Sequence, residues 1–333
     1  MSGRLAVAAA VREIRAMPPF DPQAPPISIR DVEARESDRG WFGATRRRLG
    51  AAAGARAIGV SLYEVPPGRC NMPLHVHADE GEIFLVLAGA GLSLQLDGKE
   101  LRAFEIAEGD ALLHEAGGPA HTILAGDGGI TVLALAEGSR TGITYLPRSR
   151  TFWLGDRWLP ADGPSPFRAE QALGAPEIPD PSPRPQTIVA TGDLPIDLTD
   201  RGRFADRARP VADALGARTL GLTLSDLPPG ALSCPRHWHT LCEEAFLVTG
   251  GSGALRLGER RFPVSEGSFV VRPPSSRVPH RFEAGDAGLR MIGMSDRPLG
   301  DRCVYPDSRK VTLAPGILVR YEELDYWDGE PEA

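Results

Sequence analysis

Pro66-Pro67-Gly68-Arg69-Cys70-Asn71-Met72-Pro73-Leu74-His75-Val76-His77-Ala78-Asp79-Glu80-Gly81-Glu82-Ile83-Phe84-Leu85-Val86 returns as Pro228-Pro229-Gly230-Ala231-Leu232-Ser233-Cys234-Pro235-Arg236-His237-Trp238-His239-Thr240-Leu241-Cys242-Glu243-Glu244-Ala245-Phe246-Leu247-Val248, 162 residues further on. Between residues 59 and 91, 14 of 33 positions are identical at that offset, so the chain is an internal duplication. Each copy is followed by a glycine and a third histidine: Gly109 and His121, then Gly267 and His280. Six of the seven histidines fall in these two sets, which is where chemistry is expected.

On a strand, residues i and i+2 share a face. His75 and His77 therefore point to one side, as do His237 and His239, while Val76 and Trp238 point to the other. A second strand follows in each copy, on which Glu82, Phe84 and Val86 share a face. In a closed barrel that face is the interior. Glu243 and Glu244 are adjacent, and aligning the two copies selects Glu244, leaving Glu243 to point outward or into the turn. Two metal sets result: His75, His77, Glu82 and His121, and His237, His239, Glu244 and His280. Three imidazoles and one carboxylate suit a divalent transition metal, up to two per chain. Iron is the leading expectation, with manganese, nickel, zinc or copper also compatible. No sulfur joins either set in the sequence, which argues against a closed structural zinc site. The remaining histidine, His114, is matched by Arg272 and is expected at the surface. Trp238 is expected to seat against the other half.

The chain of 333 residues is long enough for two domains with full cores. Its net charge of −7 and pI near 5.6, without a long basic run, exclude nucleic acid as the expected partner. No apolar run approaches the roughly 20 residues of a membrane span. Residues 1–17 read as a short N-terminal helix stopped by Pro18-Pro19, not as a signal peptide. Four cysteines without CxxC spacing point to a reducing cytoplasm. Each half is built of short strand-like segments broken by glycine, proline and Asp97-Gly98, hence an all-β architecture. Residues 160–185 carry eight prolines and read as a linker. The expected domains are residues 1–40 (helix and arm), 41–159 (first barrel), 160–185 (linker) and 186–333 (second barrel). Tyr145-Leu146-Pro147 resembles Tyr305-Pro306, and this segment is expected to cross to the partner half.

The pattern Gly68, His75, His77, Glu82, Gly89, Gly109, His121, and its copy Gly230, His237, His239, Glu244, Gly251, Gly267, His280, resembles the two motifs of the cupin superfamily. Six residues, one more than the family's usual five, separate the first glycine from the first histidine. The resemblance covers roughly residues 55–150 and 215–310. It implies two double-stranded β-helix (jelly-roll) barrels in tandem, a bicupin. The scaffold hosts several chemistries. The HWH run at His237–His239 resembles that of oxalate decarboxylases, but the arginine those enzymes place three residues before the first histidine is here Met72 or Cys234. The three-His-one-Glu set is similar to quercetinase-type bicupins, whose glutamate also acts as a base, a catalytic role that Glu82 or Glu244 would take. The leading expectation is therefore an oxidoreductase, a metal-dependent dioxygenase that chelates a small organic substrate. A redox-neutral metalloenzyme (decarboxylase, isomerase or lyase) is the second reading, and a non-catalytic small-molecule-binding protein the third. The second requires a basic pocket residue, for which Arg69 and Arg256 are the candidates. A homodimer is one assembly compatible with this reading.

Overall fold

The two copies form two large antiparallel sheets of the same strand order in the computed structural model, which describes residues 21–138, 142–154, 157–159, 166–314 and 316–329. The expected helix over residues 1–17 lies outside them. The first sheet runs Ile188–Ala190, Asp110–His114, Glu82–Asp97, Ala120–Glu137, Ile58–Val65, Thr45–Arg47, Ala34–Glu36. The second runs Ile27–Ser28, Ser268–Arg272, Glu244–Leu257, His280–Asp296, Leu220–Leu227, Phe204–Pro210, Asp197–Arg201. The edge strands are exchanged: Ile27 of the N-terminal arm pairs with Phe269 of the second sheet, and Ile188, beyond the proline-rich segment, pairs with Leu112 of the first.

Each sheet closes on itself because its long strands bend. Glu82–Asp97 and Glu244–Leu257 pair along most of their length with Ala120–Glu137 and His280–Asp296, and each ladder is broken by register shifts around Gly89 and Gly251. These glycines have φ of +81° and +74°, and a Cβ on either would meet a carbonyl oxygen of the neighbouring strand at 2.3 or 2.2 Å. Only glycine fits such a bend, which is why it recurs in the motif.

Strand parity then sorts the side chains. Phe84 and Val86 enter the first barrel's interior with Tyr63, Phe104, Ile123 and Val132, and Val248 enters the second with Leu255, Phe282 and Leu289, with Phe246 packed against them. The opposite faces, Ile83 and Leu85 in one half and Ala245 and Leu247 in the other, meet between the barrels in a shared core with Leu133, Leu220, Phe269 and Ile292. Both faces of these strands are buried, so the sequence there is continuously apolar.

A small sheet flanks each barrel. Val76–His77 pairs with Ile143–Leu146, and Trp238–His239 with Cys303–Tyr305. The similar segments at Tyr145 and Tyr305 thus close over their own half's histidines and do not cross to the partner. The proline-rich segment is also more than a tether. It contains the helix Pro166–Leu173, whose Glu170 is fully buried, and is strapped to the first barrel by Arg184 on Asp110 (2.7 and 2.6 Å).

Candidate metal centres

Backbone pairing brings each histidine set together. His75 and His121 exchange both N–H···O bonds (3.2 and 2.8 Å), as do His237 and His280 (3.2 and 2.9 Å). In the first set Glu82 Oε2 lies 2.9 Å from His121 Nε2, 3.3 Å from His77 Nε2 and 3.8 Å from His75 Nε2. In the second, Glu244 Oε2 lies 3.3 Å from His280 Nε2, 3.7 Å from His239 Nε2 and 3.9 Å from His237 Nε2. The HxH pairs and the glutamates sit where strand parity puts them, and His121 and His280 join them, Nε2 atoms inward.

Four of the six outward ring nitrogens are tied down, whereas His121 Nδ1 is buried without a hydrogen-bond partner and its Nε2 bonds Glu82 Oε2 at 2.9 Å. His75 Nδ1 donates to the Pro73 carbonyl (2.9 Å), His237 Nδ1 to that of Pro235 (3.0 Å), and His239 Nδ1 to Asp301 Oδ2 (2.6 Å). His77 Nδ1 meets Thr144 Oγ1 at 3.0 Å and Glu80 Oε2 at 3.4 Å. Donation through Nδ1 leaves the lone pair on Nε2, the tautomer a metal requires. Burial pushes His75 down to about 3 and His280 to about 4, so both are neutral. Burial pushes His237 down as well, but Cys234 beside its Nδ1 and Glu244 outweigh it and carry it up to about 9. Burial raises Glu82, yet its bonds to His121 and His77 hold it well below the carboxylate range. His280 Nε2 is buried with no hydrogen-bond partner. Its polar neighbour is Glu244 Oε2 at 3.3 Å, a second atom of the same set; an inward nitrogen and a carboxylate oxygen that converge in this way fit a metal ion, and both donor sets suit a divalent transition metal.

The two centres differ in what surrounds them. A cavity of about 550 Å³ opens over the first set, lined by His75, His77, Glu80 and Glu82 together with Arg46, Arg48 and Tyr63. The residues over the second set, among them Trp238, Arg272 and Pro273, enclose no space that would admit a water molecule. Arg46 is fixed by two bonds to Ser61 Oγ (3.1 and 3.0 Å) and stacks on Tyr63. The Arg48 side chain forms no ion pair or hydrogen bond among the described residues, and burial lowers its pKa.

Several expectations need correcting. Arg69 binds Asp38 and Arg256 binds Glu259, and neither lines a cavity at a histidine set. The arginines at the sites are Arg46, Arg48 and Arg272. His114 is not at the surface: it is buried and stacked on His121, with ring centroids 3.8 Å apart. Its counterpart Arg272 is also buried, with Nε and Nη2 unpartnered and Nη1 on the Pro22 carbonyl, and desolvation drops its pKa to about 10 against the pull of Glu244. Both residues stand directly across the ladder from the metal glutamate, His114 from Glu82 and Arg272 from Glu244. Their common spacing, five residues after the motif glycine, was the signal for this. Trp238 sits by its own histidine set and not in the inter-barrel core. Glu243 does not point outward: it is buried, and its carboxylate accepts the backbone N–H groups of Arg56, Ala57 and Ile58 across the barrel boundary. No helix among the described residues is long and apolar enough to cross a membrane.

The cupin domain family matches residues 61–135 and 223–293. No curated protein matches the chain. Among solved structures, oxalate decarboxylase from Bacillus subtilis at pH 4.6 superposes with a TM-score of 0.58 at 16% identity, covering 81% of this chain and 75% of that one. A structure of the same enzyme, described through its Mn(II) centres, gives 0.58 at 17% identity over 84% of this chain and 78% of that one. Identity this low speaks for the fold alone. The expected oxidoreductase class is overturned: these neighbours are decarboxylases, which are lyases, and none of them supports a dioxygenase. The preference for iron is likewise unsupported. Two matched domains, two barrels of one strand order and two convergent three-His-one-Glu sets make the chain a member of the cupin superfamily, a bicupin.

Proposed function

We propose that the first barrel is the reactive centre of a redox-neutral metalloenzyme, a lyase that decarboxylates a small organic acid. The observation that carries this is the 550 Å³ cavity that Arg46 and Arg48 line together with His75, His77 and Glu82. Cavities of this size hold ligands well beyond a two-carbon diacid. The arginines, Arg46 on the strand Thr45–Arg47 and Arg48 just after it, also lie some 25 residues before the position occupied by Met72, so oxalate is not the favoured substrate. A divalent ion held by His75, His77, His121 and Glu82 would supply Lewis-acid polarisation of a bound oxygen. Manganese is the favoured ion, by analogy with the neighbour described through its Mn(II) centres.

The chain's own residues do the rest. Arg48, without a partner, is the anchor for a substrate carboxylate, and Arg46 is held rigid beside it by Ser61 and Tyr63. Phe84 and Tyr63 wall the cavity and exclude water. Loss of CO₂ leaves an electron pair on the former α-carbon, which must take a proton. Glu80, lining the cavity 3.4 Å from His77 Nδ1, is the proposed proton donor. Glu82 spends its Oε2 on three imidazoles and is proposed as a ligand first. Glu244 has the same role in the second barrel, where no cavity admits a substrate. The four unpaired cysteines agree with a reducing, cytoplasmic setting.

The test is CO₂ release, without O₂, from a panel of mono- and dicarboxylic acids by protein loaded with Mn(II). Arg48→Ala should raise KM at least tenfold, about 1.4 kcal/mol of carboxylate binding. Glu80→Gln should lower kcat. No CO₂ release, and no carboxylate binding by calorimetry, would sink the proposal.

A further inference from the structure

Three of the four cysteines surround the second histidine set, and none surrounds the first. Cys234 Sγ lies 3.5 Å from His237 Nδ1. Cys242 groups with His239 and Asp301, their ligand atoms within 4.8 Å of one another. Cys303 groups in the same way with His237 and His239. The duplication gives each a counterpart in the first barrel: Met72, Glu80 and Thr144. Cys303 faces His239 across a strand pair, as Thr144 faces His77. At the three positions that differ, the second barrel presents sulfur; at two of them the first presents oxygen.

We infer that the two centres are built for different ions, and that the second holds a borderline-soft ion of the zinc(II) class with Cys303 as a sulfur ligand. This rests on the reading that the second set is a metal centre. Three further features agree. His280 Nε2 is buried, makes no hydrogen bond and has Glu244 Oε2 as its polar neighbour at 3.3 Å, so both converge as donors on the set. The site excludes water, as structural centres with protein-only ligation do, whereas the first set keeps open space for a substrate. Thiolate donors select zinc-class ions, and oxygen-rich surroundings suit manganese. On binding, the Cys303 thiol gives up its proton to solvent, so uptake at this centre releases one more proton than a set without sulfur.

Cobalt(II) reports this directly, because a thiolate bound to it adds a near-ultraviolet charge-transfer band that nitrogen and oxygen ligands lack. Metal-free protein reconstituted with cobalt(II) should take two equivalents per chain and show the band. Cys303→Thr, which installs the first barrel's residue, should abolish the band while leaving two equivalents bound. Cys234→Ser should retain it. X-ray absorption at the zinc edge of the unmodified protein should find a sulfur neighbour at about 2.3 Å, independently of how the variants fold. Two equivalents of cobalt without the band, a band that survives Cys303→Thr, or a zinc edge with only nitrogen and oxygen neighbours would each overturn the sulfur ligand and leave the metal centre standing. A single equivalent that His77→Ala removes would overturn both.

Discussion

Glu243 joins the barrels, and removing it should cost stability without touching the metal. Its carboxylate is 1% exposed and accepts backbone N–H groups of Arg56 (2.9 Å), Ala57 (2.8 Å) and Ile58 (3.0 Å). In Glu243→Ala the buried Ile58 N–H loses its acceptor, at about 1–3 kcal/mol. Arg56 is exposed and Ala57 half-buried, so their N–H groups turn to water at a combined cost of about 1 kcal/mol. The variant also no longer desolvates a carboxylate, the effect that pushes the Glu243 pKa up, and this returns part of the loss. The expected net destabilisation is about 2–3 kcal/mol. Glu243→Gln, which keeps an acceptor oxygen, should lose about 1 kcal/mol. Urea unfolding followed by tryptophan fluorescence reads the effect as a lower midpoint at unchanged slope. Metal content should stay at the wild-type value in Glu243→Ala and fall in Glu244→Ala. A Glu243→Ala midpoint within about 0.5 kcal/mol of wild type would refute the reasoning, because surface substitutions lie in that range.

The duplication sets up the reverse change at Gly81, the counterpart of Glu243, whose Cβ would meet Glu137 Oε2 at 3.5 Å, the His114 carbonyl at 3.8 Å and Thr219 Oγ1 at 3.9 Å. Gly81→Glu should bring a carboxylate to the backbone at 218–220, but beside Glu137, which already accepts the Gly81 N–H at 2.8 Å; the gain in unfolding midpoint should therefore stay below about 1 kcal/mol at neutral pH, and a lowered midpoint would show that the repulsion between the two carboxylates outweighs the new N–H bonds. Gly251→Ala places a Cβ 2.2 Å from the Gly288 carbonyl at φ +74°, and should cost at least about 2 kcal/mol, read by thermal unfolding. Glu170 is buried, its Oε2 without a hydrogen bond and with only Arg148 Nη1 at 4.0 Å, and desolvation raises its pKa above the unfolded value against the pull of Ser149 and Arg148. The folded state therefore binds this proton more tightly, and the group favours folding increasingly as pH falls from its folded pKa to its unfolded one. The stability of wild type relative to Glu170→Gln should rise on acidification through that window and level off below it; a difference flat with pH would exclude a raised pKa.

Period-2 reading put His75, His77 and Glu82, and His237 and His239, on the faces the structure gives them; the internal repeat, not parity, added His121 and His280 and chose Glu244 over Glu243. Parity also predicted the inward Phe84 and Val86. It could not say what lies on the other face of the same strands, since Ile83 and Leu85 read as apolar whether they meet solvent, a helix or a second barrel. Long-range partners were the main loss. His114 and Arg272 are buried beside Glu82 and Glu244 through a pairing with strands some 30 residues away, and Glu243 is buried through a loop nearly 190 residues away. Arg46, on the short strand Thr45–Arg47, and Arg48, at the start of the next helical turn, lie outside the repeated motif, and nothing local marks them as pocket residues. Cys303 reaches the second histidine set only because the small sheet folds over its own half, the opposite of the crossing expected from the matched tyrosines.

The positions where the repeats agree and differ divide by distance from the ion. All four ligands and the bend glycine are the same in both copies, which is what holding a divalent ion in this barrel requires. The residues around them differ: Met72 against Cys234, Glu80 against Cys242, His114 against Arg272, Thr144 against Cys303. These substitutions change the hydrogen bonds to the ligands and the softness and charge of the surroundings, the levers that tune a metal without rebuilding its site. The first copy keeps carboxylate and hydroxyl groups beside an open cavity with two arginines. The second packs sulfur, a buried arginine and Trp238 over a closed one. If the surroundings set the difference, moving Thr144 and Glu80 into the second barrel should change its metal preference without changing its ligand count. Moving the cysteines into the first should close off Mn(II) before it disturbs the fold.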